Sequence, residues 1–134
     1  MIADLGPLLD RAAKIVGVSV DAVHLEACET TIGAALGAGA DVHRSQAYYL
    51  DVTPPGAGKA GFVDAMSRRL GIEPARIATL GDAGNDVPMF ARSGFPIAMG
   101  NAAPAVRAAA RAVTDGNDAD GFAKAIDDFI LHRR

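Results

Sequence analysis

The chain has 134 residues and a formal net charge of −3 at pH 7, a length typical of one domain, or of one small domain with a piece of another. It has no run of about 18 apolar residues and no basic cluster beyond Arg133 and Arg134, which argues against a membrane span and a nucleic-acid surface. Because Cys28 is the only cysteine and no signal peptide is visible, we expect no internal disulfide, no cysteine-rich metal site and a reducing, cytoplasmic setting.

The first part of the chain predicts a small α+β piece. Residues 5–16 carry apolar side chains on one side at helical spacing, which predicts a helix. Residues 20–36 stay ambiguous because glycines blur the end of the pattern. Residues 41–45 and 48–52 alternate and contain aromatic or branched side chains, which predicts two short strands.

Paired prolines and alternating glycines mark a boundary at residues 53–58. Such a run sustains neither a helix nor a central strand. We therefore expect two domains, at residues 1–53 and 54–134.

The second part has a regular rhythm of helices and strands. The predicted helices are 59–70, 87–92, 104–111 and 121–131, and the predicted strands are 77–80, 95–99 and 112–114. The first and last helices each have apolar side chains along one side, which are Phe62, Met66 and Leu70 in the first and Phe122, Ile126, Phe129 and Ile130 in the last. Strands that alternate with helices predict an α/β fold with a parallel, Rossmann-like sheet.

The strand at 77–80 runs directly into Gly81-Asp82-Ala83-Gly84-Asn85-Asp86 and then into a helix. In open α/β sheets, ligands bind beyond the carboxyl ends of the strands. Two carboxylates with an amide between them suit magnesium, which prefers oxygen ligands. The same residues also suit a turn and a helix cap, and the spacing alone favours the cap.

Two further polar residues could take part in chemistry. Lys59 starts a helix, where its charge opposes the helix dipole, so it either reaches a phosphate or is a solvated surface lysine. Asn101 follows the second strand and is either a loop or cap residue, which we favour, or a contact of the site. Residues 115–120 lack the final acidic ligand of a calcium loop and predict a solvated loop.

Several motifs in order resemble the C-terminal half of the haloacid dehalogenase superfamily, closest to its Cof-type branch of mostly bacterial sugar-phosphate and related phosphatases. They are residues 48–54, Gly58-Lys59, 70–72, 81–89, 98–102 and 120–126. Residues 48–131 carry the resemblance, and residues 1–47 are similar to the end of that branch's α/β cap. The resemblance implies a core fragment preceded by part of a cap.

The resemblance also implies roles for named residues. Lys59 is similar to the lysine that steadies the phosphoryl group and the nucleophile. Asp82 is similar to the Mg²⁺-binding acid, and Asn85 and Asp86 are similar to the rest of its motif, which orients the metal, its waters and the lysine. The expected metal site is therefore formed by Asp82 and Asp86. Substrate contacts are expected from Lys59 and Asn101. The implied reaction is magnesium-dependent hydrolysis of a phosphate monoester, a small phosphorylated metabolite, by way of an aspartyl-phosphate.

The sequence departs from the family at its nucleophile. No Asp-x-Asp-Gly-Thr run is present, and Asp4 does not match that motif. We therefore expect this chain by itself to lack the covalent step. One alternative is a catalytically silent fragment that acts in binding or assembly. Another is a nucleotide-binding domain, which the absence of Gly-x-Gly-x-x-Gly after the first strand disfavours.

The resemblance also carries an expectation about association. The family's first strand lies beside the strand that matches residues 77–80. The motif that marks the family's first strand is absent here, so we expect the strand at residues 77–80 to be an open sheet edge. Such an edge is a template for pairing with another chain. A homodimer or a swapped assembly through residues 77–80 is the expected result.

Overall fold

The computed structural model describes residue 6 and residues 12–132. The chain divides into two compact units, Met1–Gly58 and Lys59–Arg134. The assignment of the first to a cap and of the second to a core stays a prediction. Within the described residues, the longest apolar helices fall short of what a membrane crossing requires.

The N-terminal unit is a three-stranded antiparallel sheet with one long helix. Its central strand is β3, flanked by β1 and β2, and the helix lies against β2 and β3. Leu25 of the helix and Leu50 of β3 are both buried. The elements are β1 (Ile15–Val18), α1 (Ala22–Leu36), β2 (Asp41–Gln46) and β3 (Tyr49–Thr53).

Both strands predicted between residues 41 and 52 are confirmed, and the ambiguous segment is a helix. Its start is capped by Asp21, whose side chain accepts the N–H of His24 at 3.0 Å. The helix predicted at 5–16 lies largely outside the described residues, and its end is wrong. Ile15 and Val16 belong to β1, because they pair across the sheet with residues of β3.

The C-terminal unit confirms the predicted α/β class. Its three strands form a parallel sheet in the order β4-β5-β6, as alternating strands and helices require. Three 3₁₀ turns connect these elements, at Pro74–Arg76, Gly84–Asp86 and Asn117–Ala119. The elements are α2 (Lys59–Leu70), β4 (Ala78–Gly81), α3 (Val87–Phe90), β5 (Phe95–Ala98), α4 (Pro104–Ala108), β6 (Ala112–Val113) and α5 (Gly121–Ala125), which continues as a π-helix (Ile126–Leu131).

The core of this unit surrounds the carboxyl end of β5. Phe90, Ala98, Ala102 and Val106 form one buried cluster, and Ile97 is 1% exposed. Burial of these side chains stabilises the unit in proportion to apolar area, at about 25 cal/mol per Å². The core therefore fixes the strand ends from which the loops of the candidate site emerge.

Much of the apolar side of the first and last helices is exposed within this unit. Phe62 and Leu70 of α2 are 63% and 62% exposed, whereas Val63 is buried. Phe122 of α5 is 61% exposed. Helical spacing predicts which side chains share a face, but not which neighbouring element covers that face.

The strand β4 lies at one edge of the sheet and pairs with β5 within the described residues. Its position agrees with the strand predicted at 77–80. Association through this edge stays a prediction.

Candidate functional site

The loops that follow the three parallel strands meet at one edge of the sheet. Asp82 follows β4, Gly100 and Asn101 come after β5, and Asp115 comes after β6. The N–H of Gly100 donates to the carbonyl of Asp115 at 3.0 Å, which ties the second loop to the third. This edge therefore gathers the polar residues that the sequence singled out.

Asp86 is the buried carboxylate of this edge, with 3% of its surface exposed. Its Oδ2 accepts two backbone hydrogen bonds, from the N–H of Asp82 at 2.9 Å and from that of Ala83 at 3.0 Å. These bonds close the loop after β4 and cap the 3₁₀ turn Gly84–Asp86. One oxygen of Asp86 thus caps the 3₁₀ turn, whereas the helix that begins at Val87, for which the spacing favoured a cap, has no side-chain capping bond.

The other oxygen of Asp86 holds Lys59. The Lys59 amine pairs with Asp86 Oδ1 and donates to Asn85 Oδ1 at 3.4 Å. The Lys59 side chain is half exposed, so its positive charge is anchored on one side and open to solvent on the other. The structure thus brings Lys59 together with Asn85 and Asp86, as the motif order predicts.

The surroundings of Asp86 favour its ionised form. Burial by itself raises the pKa of a carboxyl group. The hydrogen bond from Lys59, the N–H groups of Ala83 and Asp82, and the positive charge of Lys59 outweigh burial and hold the pKa of Asp86 below its ordinary value. Asp86 is therefore a fixed negative charge at neutral pH.

Asp82 is exposed, unlike Asp86. The side-chain amide of Asn101 donates to Asp82 Oδ2 at 3.0 Å, and Asn101 Oδ1 accepts the backbone N–H of Asn117, also at 3.0 Å. Asn101 is thus engaged at both ends of its amide. Its predicted contact with substrate stays a prediction.

The carboxylates at this edge differ in their fitness for magnesium. Among residues 12–132, no group of three or more His, Cys, Asp or Glu side chains is arranged to hold a metal. Magnesium in phosphate-handling sites commonly takes one or two carboxylates and completes its shell with water and substrate phosphate. The exposed Asp82 fits as one such ligand. Both oxygens of Asp86 already accept hydrogen bonds, from Lys59 and from two backbone N–H groups, so its contacts suit a residue that holds Lys59. Its role as a metal ligand stays a prediction.

Comparison with known proteins identifies the family of this chain. The family model described as haloacid dehalogenase-like hydrolase matches residues 5–126. The chain belongs to the haloacid dehalogenase-like hydrolase family. The match extends the resemblance from the motifs of the C-terminal unit to most of the N-terminal unit.

Several of the relatives are named as phosphatases. A phosphoglycolate phosphatase of Methanothrix thermoacetophila is 53% identical over 62 residues, which are 46% of this chain and 28% of that protein. A haloacid dehalogenase-like hydrolase from Bacteroides thetaiotaomicron is 34% identical with a TM-score of 0.73, over 88% of this chain and 44% of that one. A subclass IIB sugar phosphatase is 33% identical with a TM-score of 0.70, over 78% and 40%. The chain spans less than half the length of each.

Gly81 is a site residue of this haloacid dehalogenase-like chain that sequence reasoning missed. A Cβ added there would lie 2.5 Å from the Cβ and Oδ2 atoms of Asp86, a distance at which something must shift. Only glycine therefore lets the Asp86 carboxylate fold back over the end of β4. A glycine between a buried strand and the first aspartate was the available signal.

The sequence contains one Asp-x-Asp-Gly run, at Asp118-Ala119-Asp120-Gly121, which lacks the threonine that follows in the family's motif. In the family this order belongs to the nucleophile at the end of the first strand. Here Asp118 lies in the 3₁₀ turn Asn117–Ala119, and Asp120 adopts a left-handed backbone conformation, φ 56°, directly before α5. This run therefore does not occupy the position of the nucleophile.

Proposed function

We propose that the C-terminal unit contributes the phosphate-holding and magnesium-holding part of a phosphate monoester hydrolase site. The observation that carries this proposal is the Lys59–Asp86 pair beside Asp82 at the carboxyl edge of a parallel sheet. Phosphoryl transfer depends chiefly on positioning and on neutralising charge. An anchored lysine and an exposed carboxylate at one edge suit both requirements.

Each of these residues has a distinct part in the proposal. Lys59 presents its amine to the phosphoryl oxygens. Asp86 and Asn85 fix that amine by accepting its hydrogen bonds, so little side-chain freedom is lost when phosphate binds. Asp82 would hold Mg²⁺, which when bound supplies further positive charge against the phosphate.

The substrate class follows from the relatives. The phosphoglycolate phosphatase and the sugar phosphatase act on small phosphorylated metabolites by their names. We extend this class to the present chain, in a cytoplasmic setting. The alternative of a catalytically silent fragment for binding or assembly gains no support from these relatives.

We assign no nucleophile among these 134 residues, because they contain no Asp-x-Asp-Gly-Thr run. The first carboxylate of such a motif would attack phosphorus as the bond from phosphorus to the ester oxygen breaks, and the second, as a carboxylic acid, would give its proton to the leaving alcohol. Lys59 would stabilise the negative charge on the phosphoryl oxygens during that attack.

We expect the 134-residue chain to hydrolyse an aryl phosphate little or not at all, even with magnesium, because a lysine and a metal cannot supply the covalent step. The coding DNA upstream of Met1 should be read for an in-frame Asp-x-Asp-Gly-Thr. A protein extended to include it should be active, and Lys59→Met or Asp82→Ala should each lower its rate by about 100-fold or more. Ordinary turnover by the 134-residue chain that Asp82→Ala abolishes would contradict the proposal, as would an extended protein indifferent to both changes.

A further inference from the structure

We propose that Asn101 is a positioning residue that fixes the orientation of the Asp82 carboxylate, and that the backbone of Asn117 holds Asn101 in place. The inference rests on the proposed function, in which Asp82 holds the metal. We call the connection from the Asn117 backbone through the Asn101 side chain to the Asp82 carboxylate the bridge. The bridge has two hydrogen bonds, each of 3.0 Å.

The two hydrogen bonds determine how the Asn101 amide is turned. Its NH₂ group faces the Asp82 carboxylate, which can only accept, and its oxygen faces the Asn117 N–H, which can only donate. Rotation of the amide by 180° would place oxygen against oxygen and N–H against N–H. Each bond therefore enforces the other.

An exposed carboxylate needs such a partner to stay ordered. Asp82 and Asn101 are both exposed, so burial does not restrict their side chains. The N–H of Asp82 is already held by Asp86, which fixes its backbone but not its side chain. The bond from Asn101 to Oδ2 adds that restriction. Hydrogen-bond partners of metal ligands commonly change metal affinity by about 10-fold to 100-fold.

The far end of the bridge is anchored on α5. Asn117 opens the 3₁₀ turn Asn117–Ala119. The loop before this turn is held by an ion pair between Asp115 and Lys124 and by a hydrogen bond from the Thr114 hydroxyl to the Gly121 carbonyl at 2.8 Å. A Cβ at Gly100 would meet the Gly116 nitrogen at 2.8 Å. The loops therefore approach closely, and the last helix helps to set the position of Asn101.

Asn117→Pro tests the bridge with little other change. Proline removes the N–H that Asn101 accepts, and it is tolerated in a first helical turn. The preceding Gly116 is extended, with φ −70° and ψ 167°, which suits a residue before proline. Asn117→Ala is the matched control, because it removes the side chain and keeps the N–H.

Side-chain rotamers of Asp82 and Asn101 should be measured by NMR scalar couplings in the 134-residue chain. We expect one χ1 rotamer for each residue in the natural protein and in Asn117→Ala, and averaged couplings in Asn117→Pro. The dissociation constant for Mg²⁺, followed at the Asp82 amide, should rise about 10-fold in Asn117→Pro alone.

Identical couplings in all three proteins would overturn the bridge. A natural chain that binds no Mg²⁺ would contradict the proposed function, while the couplings would still decide the bridge. If Asn117→Pro does not fold, Asn101→Ala removes the same bridge from an exposed position, and the Asp82 couplings should average in the same way.

Discussion

Asp86→Ala should lower the free energy of unfolding of the C-terminal unit by about 3 kcal/mol. The change removes the acceptor of two backbone N–H groups, those of Asp82 and Ala83, and leaves Lys59 without its partner. Because Lys59 is half exposed, water compensates much of the lost ion pair. The larger part of the effect comes from the two N–H groups.

Chemical denaturation of the natural chain and of two variants separates these contributions. Asp86→Asn keeps an oxygen for the backbone N–H groups and loses the charge, so it should cost less than half as much. Asp64→Asn is the control, since Asp64 makes a looser and more exposed pair with Arg92 at 3.7 Å, and it should cost less than about 0.5 kcal/mol. Equal stability of Asp86→Ala and Asp64→Asn would contradict the account.

The same comparison should depend on pH. The pKa of Asp86 in the folded chain lies below its ordinary value, so the unfolded chain binds a proton first as pH falls. The stabilisation is thus fully present above the ordinary carboxyl pKa of about 4 and is lost as pH falls through the folded value. The stability difference between the natural chain and Asp86→Asn should therefore be constant near neutral pH and shrink below about pH 4.

Gly81→Ala should destabilise the C-terminal unit by about 2–3 kcal/mol. The added methyl group would lie 2.5 Å from Oδ2 of Asp86, and that oxygen cannot yield easily because it accepts two backbone hydrogen bonds. Either the end of β4 or the Asp86 side chain must move. Movement of Asp86 would also release Lys59, so phosphate binding should weaken together with stability.

Gly84→Ala is the matched control for this change. Gly84 lies in the same loop, and a Cβ added there would meet nothing within 4 Å. We expect an effect within about 0.5 kcal/mol. Thermal unfolding followed by circular dichroism compares the two variants directly. A Gly81→Ala protein as stable as Gly84→Ala would mean that Asp86 does not fold back over β4.

The sequence was most informative where local pattern and fold agree. Residues 59–70 form a helix as predicted, because a glycine-rich linker precedes it and Gly71 ends it at φ 64°. The alternation of strands and helices predicted the parallel sheet, and the rule for its carboxyl edge predicted that Asp82 would lie at that edge. The contact between Lys59 and Asp86 joins residues 27 positions apart, so the family's motif order, and no local pattern, indicated that they would lie together.

The sequence was least informative where distant residues decide the structure. The strand β1 exists because Val16 pairs with Asp51, and no local pattern at Val16 reveals that partner. Asn101 was expected to be a loop or cap residue. Its bonds to Asp82 and Asn117 span 19 and 16 positions, so no local pattern could reveal them. The π-helix from Ile126 likewise has no signal in the apolar spacing of the last helix.

Titration of the 134-residue chain with Mg²⁺ and inorganic phosphate, followed by amide NMR, tests the central claim most directly. We expect weak binding, with shifts concentrated at Lys59 and at residues 82–86. Lys59→Met should remove the phosphate-dependent shifts, and Asp82→Ala the magnesium-dependent ones, because the two side chains present opposite charges at one edge. Shifts that persist in both variants, or that lie elsewhere in the chain, would show that the carboxyl edge of this sheet is not the phosphate site.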